Sequence, residues 1–420
     1  LVLLHRLMAV TQSRLEDLAQ AMSIEMGAPI SMAREAHADA AVGHLQGFID
    51  ALAQMQERQK LANGDIQLRE AIGVCGLITP WNLPLYLLTW KVAPALLMGN
   101  TIIAKPSEIT PLTAHLLAET FLELGLPKGV FNLVHGLGPE VGQAILEHPK
   151  IKAISFTGGT ETGRIVARTA APMFKKLSLE LGGKNATIIL KDAELENAVE
   201  GAVRAAFTNS GQVCLCGSRI FIDESIAEQF THKFVEKVNS IQIGDPMDED
   251  TMMGSVISPE HLLKVESYIE LAIEEGGTLL TGGTREMTGF TGPQGIGAFL
   301  RPTVVGNLPH TSRCATEEIF GPMVTLHTFT TETEALEMVN ASEYGLAGSV
   351  WTNDLERGRA FSEKIDSGII WINTWLHRDL RTPFGGVKNS GVGREGGPVS
   401  YTHLRAHETP EHLVCRLLLE

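Results

Sequence analysis

The chain has 420 residues, of which 44% are hydrophobic, and its 49 acidic against 34 basic residues give a formal charge of −15. That length can bury more than one core, so two or three domains with a cleft between them are expected. The acidic balance, without a long Lys/Arg run, excludes a nucleic-acid partner, and no stretch reaches the roughly 20 uncharged apolar residues of a membrane span.

The first part of the chain alternates between helical and strand patterns. It opens inside one amphipathic helical period, without a methionine, so we expect a segment to precede it in the natural protein. Residues 65–76 have the alternation and turn signals of an extended arm. After residue 72, helical periods separate short β-rich runs, which are TIIAK (101–105), VFNLVHG (130–136) and AISFTGG (153–159). This order is typical of βαβ units and a parallel sheet.

A second series of strand and helix patterns begins after Gly182 and Gly183. It contains a helical period near 259–275 and five strand-like runs, which are 185–190, 218–223, 323–329, 346–350 and 368–372. Thr110, Gly138 and Ser258 each precede a proline that suits the first turn of a helix. Two α/β domains are therefore predicted.

The final residues break the glycine-rich pattern before them. From about residue 399, VSYTHLRAHETPEHLVCRLLLE resembles the translation of a sequencing adapter with its index and primer. We expect residues 399–420 to be a non-native tail, and its His and Cys residues not to be metal ligands.

Two of the five cysteines, Cys214 and Cys216, lie one residue apart in TNSGQVCLCGSRI (208–220). A structural zinc site needs four ligands, and no second Cys or His pair of suitable spacing accompanies them, so no metal is expected. A disulfide across one residue would be strained, and scattered cysteines in odd number indicate reduced thiols of a cytoplasmic protein. Two readings stay open: two buried inert thiols, or one nucleophile, exposed by the small polar turn before it, with a bystander.

Two polar residues beside apolar runs have chemistry that would suit such a nucleophile. Glu180 ends an apolar run, and a carboxylate in apolar surroundings has a raised pKa that suits a general base. Asn82 follows a strand, next to Trp81, where its amide can donate to a developing oxyanion. Each also has a structural explanation: an ion pair for Glu180, a turn for Asn82 and core packing for Trp81.

These residues occur in motifs that together resemble the aldehyde dehydrogenase superfamily from about residue 65 to 397. The matching stretches, in the family's order and at its usual separations, are ITPWNLP, GNTIIAKPSE, ISFTGGTETG, LELGGKN, GQVCLCGSR, EEIFGP and PFGGVKNSGVGREGG. The resemblance implies NAD-dependent oxidation of an aldehyde to the acid. It makes Cys214 the nucleophile, Glu180 the general base, and Asn82 an oxyanion donor beside the Cys214 backbone N–H, with Cys216 as the bystander.

The presence of Glu180 bears on the fate of the acyl group. Relatives that pass this group to coenzyme A generally lack a base at that position, so hydrolysis is expected. A coenzyme A acylating enzyme and an inactive, truncated dinucleotide-binding fragment are the alternatives.

The resemblance also implies a domain organisation with two doubly wound domains. It assigns the NAD-binding domain to 1–61 and 73–182, an oligomerisation arm to 62–72, the catalytic domain to 183–384 and a return segment to 385–398. In relatives the arm pairs with a C-terminal strand and joins subunits into homodimers or homotetramers. Because the adapter-like tail stands in place of that strand, we expect an unpaired arm and impaired assembly.

The cofactor site does not carry the usual dinucleotide fingerprint. GLGPEVG (136–142) spaces its glycines wrongly for GxGxxG, which by itself counts against NAD. The resemblance implies a site of three parts along the cofactor: Lys105 and Glu108 at the adenosine ribose, Gly158 and Gly159 near the pyrophosphate, and Glu318 and Phe320 at the nicotinamide ribose, with Trp81 lining the cofactor side of the cleft. A carboxylate at 108 would repel a 2′-phosphate, so NAD is expected over NADP.

Two of these assignments carry reservations. Many relatives have serine where this chain has Gly159, so the pyrophosphate contact of that hydroxyl is not expected here. Core packing is the alternative role for Phe320.

In the family the segment before PFGG lines the substrate tunnel, and here it reads NTWLHRDLRTPFGG (373–386). Arg378 falls where many relatives carry an apolar or aromatic residue, with Leu83, Trp90 and Phe384 as expected neighbours. An arginine in an apolar tunnel is costly unless it meets an anion, so a semialdehyde with a distal carboxylate is expected.

The same segment, with LPLYLLTWKVAPAL, is most similar to the branch that acts on 2-aminomuconate and 2-hydroxymuconate semialdehydes. The alternative is that Arg378 pairs with Asp379 or another acid. A second substrate arginine is not placed, because residues 31–48 depart from that branch.

Overall fold

The computed structural model of the chain describes residues 2–53, 58–286, 291–292, 295–397, 400 and 405–408. The helices, in chain order, are α1 Val2–Ser13, α2 Leu15–Met26, α3 Ile30–Met32, α4 Asp39–Ala53, α5 Pro84–Leu97, α6 Leu112–Glu123, α7 Gln143–Glu147, α8 Thr160–Ala170, α9 Leu195–Phe207, α10 Ala227–Asn239, α11 Pro259–Glu274, α12 Arg313–Thr316, α13 Glu332–Asn340 and α14 Leu355–Ser362. Shorter π and 3₁₀ turns are Ala33–Ala38, Gly138–Gly142, Ala171–Met173, Thr208–Gly211 and Glu224–Ile226.

The strands in the first half of the chain are β1 Arg58–Lys60, β2 Ile66–Ala71, β3 Val74–Ile78, β4 Thr101–Lys105, β5 Phe131–Leu133, β6 Ile151–Thr157, β7 Lys176–Glu180 and β8 Ala186–Ile189. Those in the second half are β9 Arg219–Asp223, β10 Thr278–Thr281, β11 Thr291–Gly292, β12 Gly295–Ile296, β13 Thr303–Gly306, β14 Met323–Phe329, β15 Tyr344–Gly345, β16 Ala347–Trp351, β17 Ile369–Ile372, β18 Val387–Lys388, β19 Gly391–Val392 and β20 Arg405–Glu408.

The N-terminal amphipathic pattern forms two helices rather than the single one expected. The chain turns at Arg14, between α1 and α2, and both helices bury their apolar stripe, including Leu4, Leu7, Leu18 and Met22. They share one hydrophobic core with α4 and α5. None of the described helices is long and apolar enough to cross a membrane.

The first sheet has the strand order β19-β7-β6-β3-β4-β5. The strands from β7 to β5 are parallel, and β19 joins the edge antiparallel with Gly391 opposite Glu180. The central strands are almost wholly buried, as expected for a parallel sheet covered on both faces. The carboxyl ends of β3, β4, β6 and β7 therefore lie along one edge, where ligands of such sheets bind.

The second sheet has the order β10-β13-β14-β9-β8-β16-β17 and is parallel except for β10 at its edge. Its predicted strands and α11 lie within one residue of their expected bounds. The predicted α/β fold class with two parallel sheets is thus confirmed.

The predicted arm forms β2, after which the chain enters the first sheet as β3. β2 pairs antiparallel with β1 on one side and with β20 on the other, where Leu68 faces Glu408 and Ala71 faces Arg405. The expectation of an unpaired arm is therefore wrong. Backbone N–H and C=O groups make the ladder, so a short segment such as RAHE can complete it whatever its side chains.

Two of the three proline-marked helix starts differ in detail. The Ser258 hydroxyl caps α11 by accepting from the His261 N–H, as expected. The first N–H groups of α6 instead donate to the Glu25 carboxylate on α2, at 2.7 Å for Leu112 and 3.2 Å for Thr113. Gly138 opens a π turn before α7. The cap on α6 comes from a distant residue, which local sequence does not reveal.

Candidate active site

A cleft of about 220 Å³ opens between the carboxyl edge of the first sheet and the loops that precede the strands of the second. Seven of the predicted site residues line it together: Trp81, Asn82, Gly158, Gly159, Cys214, Glu318 and Phe320. The other lining residues are Pro80, Leu87, Thr157, Leu181, Gly182, His261 and Lys264. The chain thus brings residues that are far apart in sequence to one crevice.

A strained turn carries Cys214 into this cleft. After α9 ends, Asn209, Ser210 and Gly211 take left-handed backbone angles, with φ of 54°, 55° and 71°. Such angles are uncommon outside glycine and are typical of functional turns. A side chain at position 211 would collide with the Gly321 carbonyl, so glycine is required there.

Side-chain amides hold the backbone that follows the turn. The Asn185 amide donates to the Cys214 carbonyl at 2.7 Å and to the Cys216 carbonyl at 3.0 Å, while its oxygen accepts from the Ala347 N–H at 3.0 Å. The Trp375 indole N–H donates to the Leu215 carbonyl at 3.0 Å. These bonds fix the direction of the Cys214 side chain.

The predicted oxyanion donor, Asn82, lies beside this turn. Its Nδ2 donates to the Gln212 carbonyl at 2.9 Å, and its own carbonyl accepts from the Asn209 amide at 3.1 Å. Among the described residues, the second hydrogen of the Asn82 amide has no acceptor. That hydrogen is available to a ligand oxygen in the cleft.

The two thiols differ in access. Cys214 is partly exposed and lines the cleft, whereas Cys216 is buried with its Sγ 3.8 Å from the Thr208 carbonyl. Burial raises the pKa of both thiols, that of Cys216 to about 12. Within the described part of the chain, no cluster of three or more His, Cys, Asp or Glu residues could hold a metal ion.

Glu180, at the end of β7, is a buried carboxyl group whose two oxygens have no hydrogen-bond partner. Burial raises its pKa well above the ordinary value, and the negative charge of Glu395 adds to the rise, while Lys91 opposes it. After burial, the charge of Glu180 is the next cause that raises the pKa of Cys214, so the two groups are electrostatically coupled. An unbonded carboxyl with a raised pKa suits a general base.

A buried ion pair lies behind Glu180. Lys91 Nζ donates to Glu395 at 2.8 Å and to the Ser155 hydroxyl at 2.9 Å, and the Ser178 hydroxyl donates to Glu395 at 3.0 Å. A small cavity of about 20 Å³ is lined by these groups. Because the two opposite charges neutralise each other, the pair holds Glu395, in the segment 385–398, against α5 and the first sheet.

The residues predicted at the nicotinamide ribose form one wall. Glu318 Oε1 accepts from the Gly183 N–H at 2.9 Å, and burial raises the pKa of this carboxyl. Phe320 has a left-handed φ of 62° that places its ring 5.4 Å from the Trp81 ring, edge to face. The His261 Nε2–H donates to the Phe320 carbonyl at 2.6 Å and stabilises that geometry.

The residues predicted near the pyrophosphate and adenosine occupy the carboxyl ends of β6 and β4, which lie on either side of β3. Gly158 donates its N–H to the Glu180 carbonyl at 3.0 Å, and Gly159 precedes α8 with open space around its Cα. Lys105 and Glu108 do not line the cleft itself; they pair at 3.0 Å after β4. Partial burial acts to raise the pKa of Glu108, but hydrogen bonds from its own N–H and from Lys105 outweigh it and lower the pKa.

At the predicted substrate end, the Arg378 guanidinium carbon lies 4.3 Å from the centroid of the Phe384 ring and 5.2 Å from that of Trp90. Asp379 binds Arg381 instead, at 2.7 and 2.9 Å, so the alternative of an Arg378–Asp379 pair is wrong. Among the described residues, no carboxylate forms an ion pair with Arg378. Leu83 precedes α5 next to Asn82.

Three residues of this region were not singled out from the sequence. Asn185 and Tyr86 lie inside quoted motifs, LELGGKN and LPLYLLTWKVAPAL, but had no assigned role. His44 lies in the stretch 31–48, yet its ring is 4.3 Å from the Tyr86 ring. The charge of Arg378 acts on the pKa of both rings, and both rings pack on Trp90, which Arg378 also contacts, so His44 and Tyr86 lie at the substrate end.

The sheets, the cleft and the cysteine turn define a family. The sequence model of the aldehyde dehydrogenase family matches residues 2–407 of the chain. The chain is therefore an enzyme that belongs to this family. The resemblance predicted from the motifs is confirmed.

Individual relatives agree with the branch indicated by the sequence. The chain is 43% identical to 2-aminomuconic semialdehyde dehydrogenase of Mus musculus, over 95% of this chain and 83% of the relative. It is 41% identical to 2-hydroxymuconic semialdehyde dehydrogenase of Pseudomonas sp. (strain CF600), over 96% and 85%. Betaine aldehyde dehydrogenase of Staphylococcus aureus, solved in complex with NAD⁺, superimposes with a TM-score of 0.93 at 36% identity, over 100% of this chain and 84% of that one.

Proposed function

We propose that the protein oxidises an aldehyde to its carboxylic acid with NAD⁺, through a covalent intermediate on Cys214. The observation that carries this proposal is a thiol, Cys214, that lines the cleft and whose pKa is raised, after burial, by the charge of a buried carboxyl group without a hydrogen-bond partner, Glu180. NAD⁺ is the cofactor bound by the Staphylococcus aureus relative. We assign cofactor binding to residues 1–61 and 73–182 and catalysis to 183–384, with residues 62–72 as an oligomerisation arm and 385–398 as a return segment to the cofactor domain.

The residues of the cleft, and Glu108 after β4, fit this cofactor. The Gly183 N–H donates a hydrogen bond to only one carboxylate oxygen of Glu318, which leaves the other oxygen for the nicotinamide ribose. A side chain at Gly182 would collide with that carboxylate, so the chain keeps the approach open. Glu108 has a lowered pKa and is ionised at neutral pH, which suits an acceptor of ribose hydroxyls and disfavours a 2′-phosphate.

The chemistry begins when the Cys214 thiol gives its proton to solvent in the open cleft and the resulting thiolate forms a bond to the aldehyde carbon. The carbonyl π electrons move to oxygen, and the resulting alkoxide accepts hydrogen bonds from the remaining Asn82 amide hydrogen and the Cys214 backbone N–H. The fixed turn directs the sulfur, because its carbonyls are bonded to Asn185 and Trp375. When bound, NAD⁺ supplies the hydride acceptor that converts this adduct into a thioester.

Glu180 completes the reaction. Its carboxylate takes a proton from water, the hydroxide oxygen bonds to the thioester carbon, and the carbon–sulfur bond breaks to release the acid and the Cys214 thiolate. A base buried without a partner is costly in a folded protein. We infer that it is retained for this step, which supports hydrolysis over transfer to coenzyme A.

The substrate we propose is a semialdehyde with a distal carboxylate, such as 2-aminomuconate or 2-hydroxymuconate 6-semialdehyde. The names of the relatives support it, as does a guanidinium held between two rings with no ion-pair partner among the described residues. An arginine in such surroundings gains most from a bidentate carboxylate.

Arg378→Gln tests this assignment. We expect kcat/KM for 6-oxohexanoate to fall about 30- to 1000-fold, since a charge-assisted pair is lost, and kcat/KM for hexanal to fall far less. Arg381→Gln, three residues along and already bound to Asp379, is the matched control. Equal losses on the two aldehydes would remove the anion-binding role.

A further inference from the structure

The buried imidazole of His44, on α4, is the feature of the substrate end that the mechanism leaves unused. His44 is fully buried, and its Nε2 has no hydrogen-bond partner. The ring lies against Tyr86 at 4.3 Å and Trp90 at 4.6 Å between centroids. A buried polar atom without a partner costs folding free energy, so its retention calls for an explanation.

The bonds around Thr89 decide which ring nitrogen carries the proton. His44 Nδ1 lies 3.0 Å from the Thr89 hydroxyl oxygen. That oxygen also lies 2.9 Å from the Leu85 carbonyl and 3.2 Å from the Tyr86 carbonyl. A hydroxyl has one hydrogen. If it pointed at Nδ1, two oxygen lone pairs would face carbonyl lone pairs at hydrogen-bond distance.

The Thr89 hydrogen therefore points to the carbonyls of its own helix, and Thr89 accepts a hydrogen bond from His44 Nδ1–H. Burial, and then the charge of Arg378, lower the pKa of His44 well below its ordinary value, so the ring stays neutral. In a neutral imidazole with its proton on Nδ1, Nε2 is an acceptor. The unused atom thus calls for a donor and would repel a carboxylate oxygen. It lies at the substrate end, because His44 and Arg378 both pack on the Trp90 ring, at 4.6 and 5.2 Å from its centroid.

We propose that His44 Nε2 accepts a hydrogen bond from a hydroxyl or amino group on the carbon next to the substrate carboxylate, while Arg378 binds that carboxylate. This inference rests on the proposed semialdehyde function and narrows it to substrates with a donor at C2. Both 2-aminomuconate and 2-hydroxymuconate semialdehydes have such a group. Thr89 is the positioning residue, because it sets the tautomer.

The test compares two aldehydes that differ by one hydroxyl, 2-hydroxy-6-oxohexanoate and 6-oxohexanoate. The readout is the ratio of their kcat/KM values with NAD⁺. For His44→Phe, which keeps a ring and removes both nitrogens, we expect this ratio to fall about 5- to 100-fold, the range for one buried hydrogen bond. Thr89→Val removes the hydroxyl that keeps the His44 proton on Nδ1, so we expect it to lower the same ratio by a smaller factor.

His327→Phe is the matched control, because His327 is also buried and hydrogen-bonded to a threonine hydroxyl, Thr325 at 2.9 Å, but lies on β14 of the second sheet. It should leave the ratio unchanged. An equal loss on both aldehydes in His44→Phe, together with an unchanged ratio in Thr89→Val, would reduce His44 to packing and overturn the inference.

Failure of the proposed function gives a different result. In that case the unaltered protein would not prefer 6-oxohexanoate to hexanal, and Arg378→Gln would affect both alike. The hydroxyl ratio tests His44 separately, since both members of that pair carry the carboxylate.

Discussion

Replacement of Asn185 by alanine should detach the Cys214 turn from the second sheet. The change removes three hydrogen bonds and leaves the Cys214 carbonyl and the Ala347 N–H without partners, whereas the Cys216 carbonyl keeps its bond from the Ser218 N–H at 3.0 Å. Each unsatisfied buried group costs about 1–3 kcal/mol. Because neighbouring losses are not additive, we expect the free energy of unfolding to fall by about 3–5 kcal/mol. A shift of the sulfur by about 1 Å would also lower kcat/KM about 100-fold.

Urea unfolding measures the loss of stability. The rate of Cys214 alkylation by iodoacetamide and kcat/KM for an aldehyde measure the displacement of the sulfur. Asn132→Ala is the control, since its amide also joins two carbonyls, those of Ile102 at 3.0 Å and Gly129 at 2.9 Å, on the far strand of the first sheet. That variant should lose stability without a change in alkylation rate. If Asn185→Ala keeps the unaltered alkylation rate and kcat/KM, the turn is not held as described.

Two further variants test the base and the cofactor preference. Because the pKa of Glu180 is raised, its carboxyl is protonated below that pKa, and the rate of hydrolysis should rise as the pH passes through it. Glu180→Gln should lower kcat about 100- to 10 000-fold and abolish this rise with pH. An unchanged pH profile in the variant would exclude Glu180 as the base. Glu108→Gln keeps a hydrogen-bond acceptor but removes the negative charge. The ratio of kcat/KM with NADP⁺ to kcat/KM with NAD⁺ should therefore rise about tenfold, which corresponds to ~1.4 kcal/mol of repulsion. A constant ratio would show that Glu108 does not discriminate between the two cofactors.

The elements best predicted from the sequence are those with a strong local signal. Five strands of the second sheet combine β-branched residues with turn residues at each end, and their bounds match within one residue, whereas β10 and β13 were not predicted. The N-terminal stripe predicts one helix because periodicity does not register a single turn residue such as Arg14. The cap of α6 depends on Glu25, which is remote in sequence.

In the site too, residues in local motifs were predicted, and contacts between residues distant in sequence were not. Motifs place Cys214, Asn82 and Glu318 in one cleft, since each motif lies at a strand end. The tautomer of His44 is beyond the sequence, because it depends on a threonine of another helix and on three distances. The pairing of β2 with β20 was missed for a related reason: a backbone ladder leaves little trace in side-chain pattern.

The central claim is that the substrate becomes covalently bound to Cys214. In Glu180→Gln, mixed with NAD⁺ and 6-oxohexanoate and quenched in acid, mass spectrometry of the peptide that contains residues 208–219 measures this directly. We predict an added acyl mass on Cys214 and none on Cys216. An adduct on Cys216 or elsewhere, or a Cys214→Ser variant that turns over at the unaltered rate, would contradict the claim.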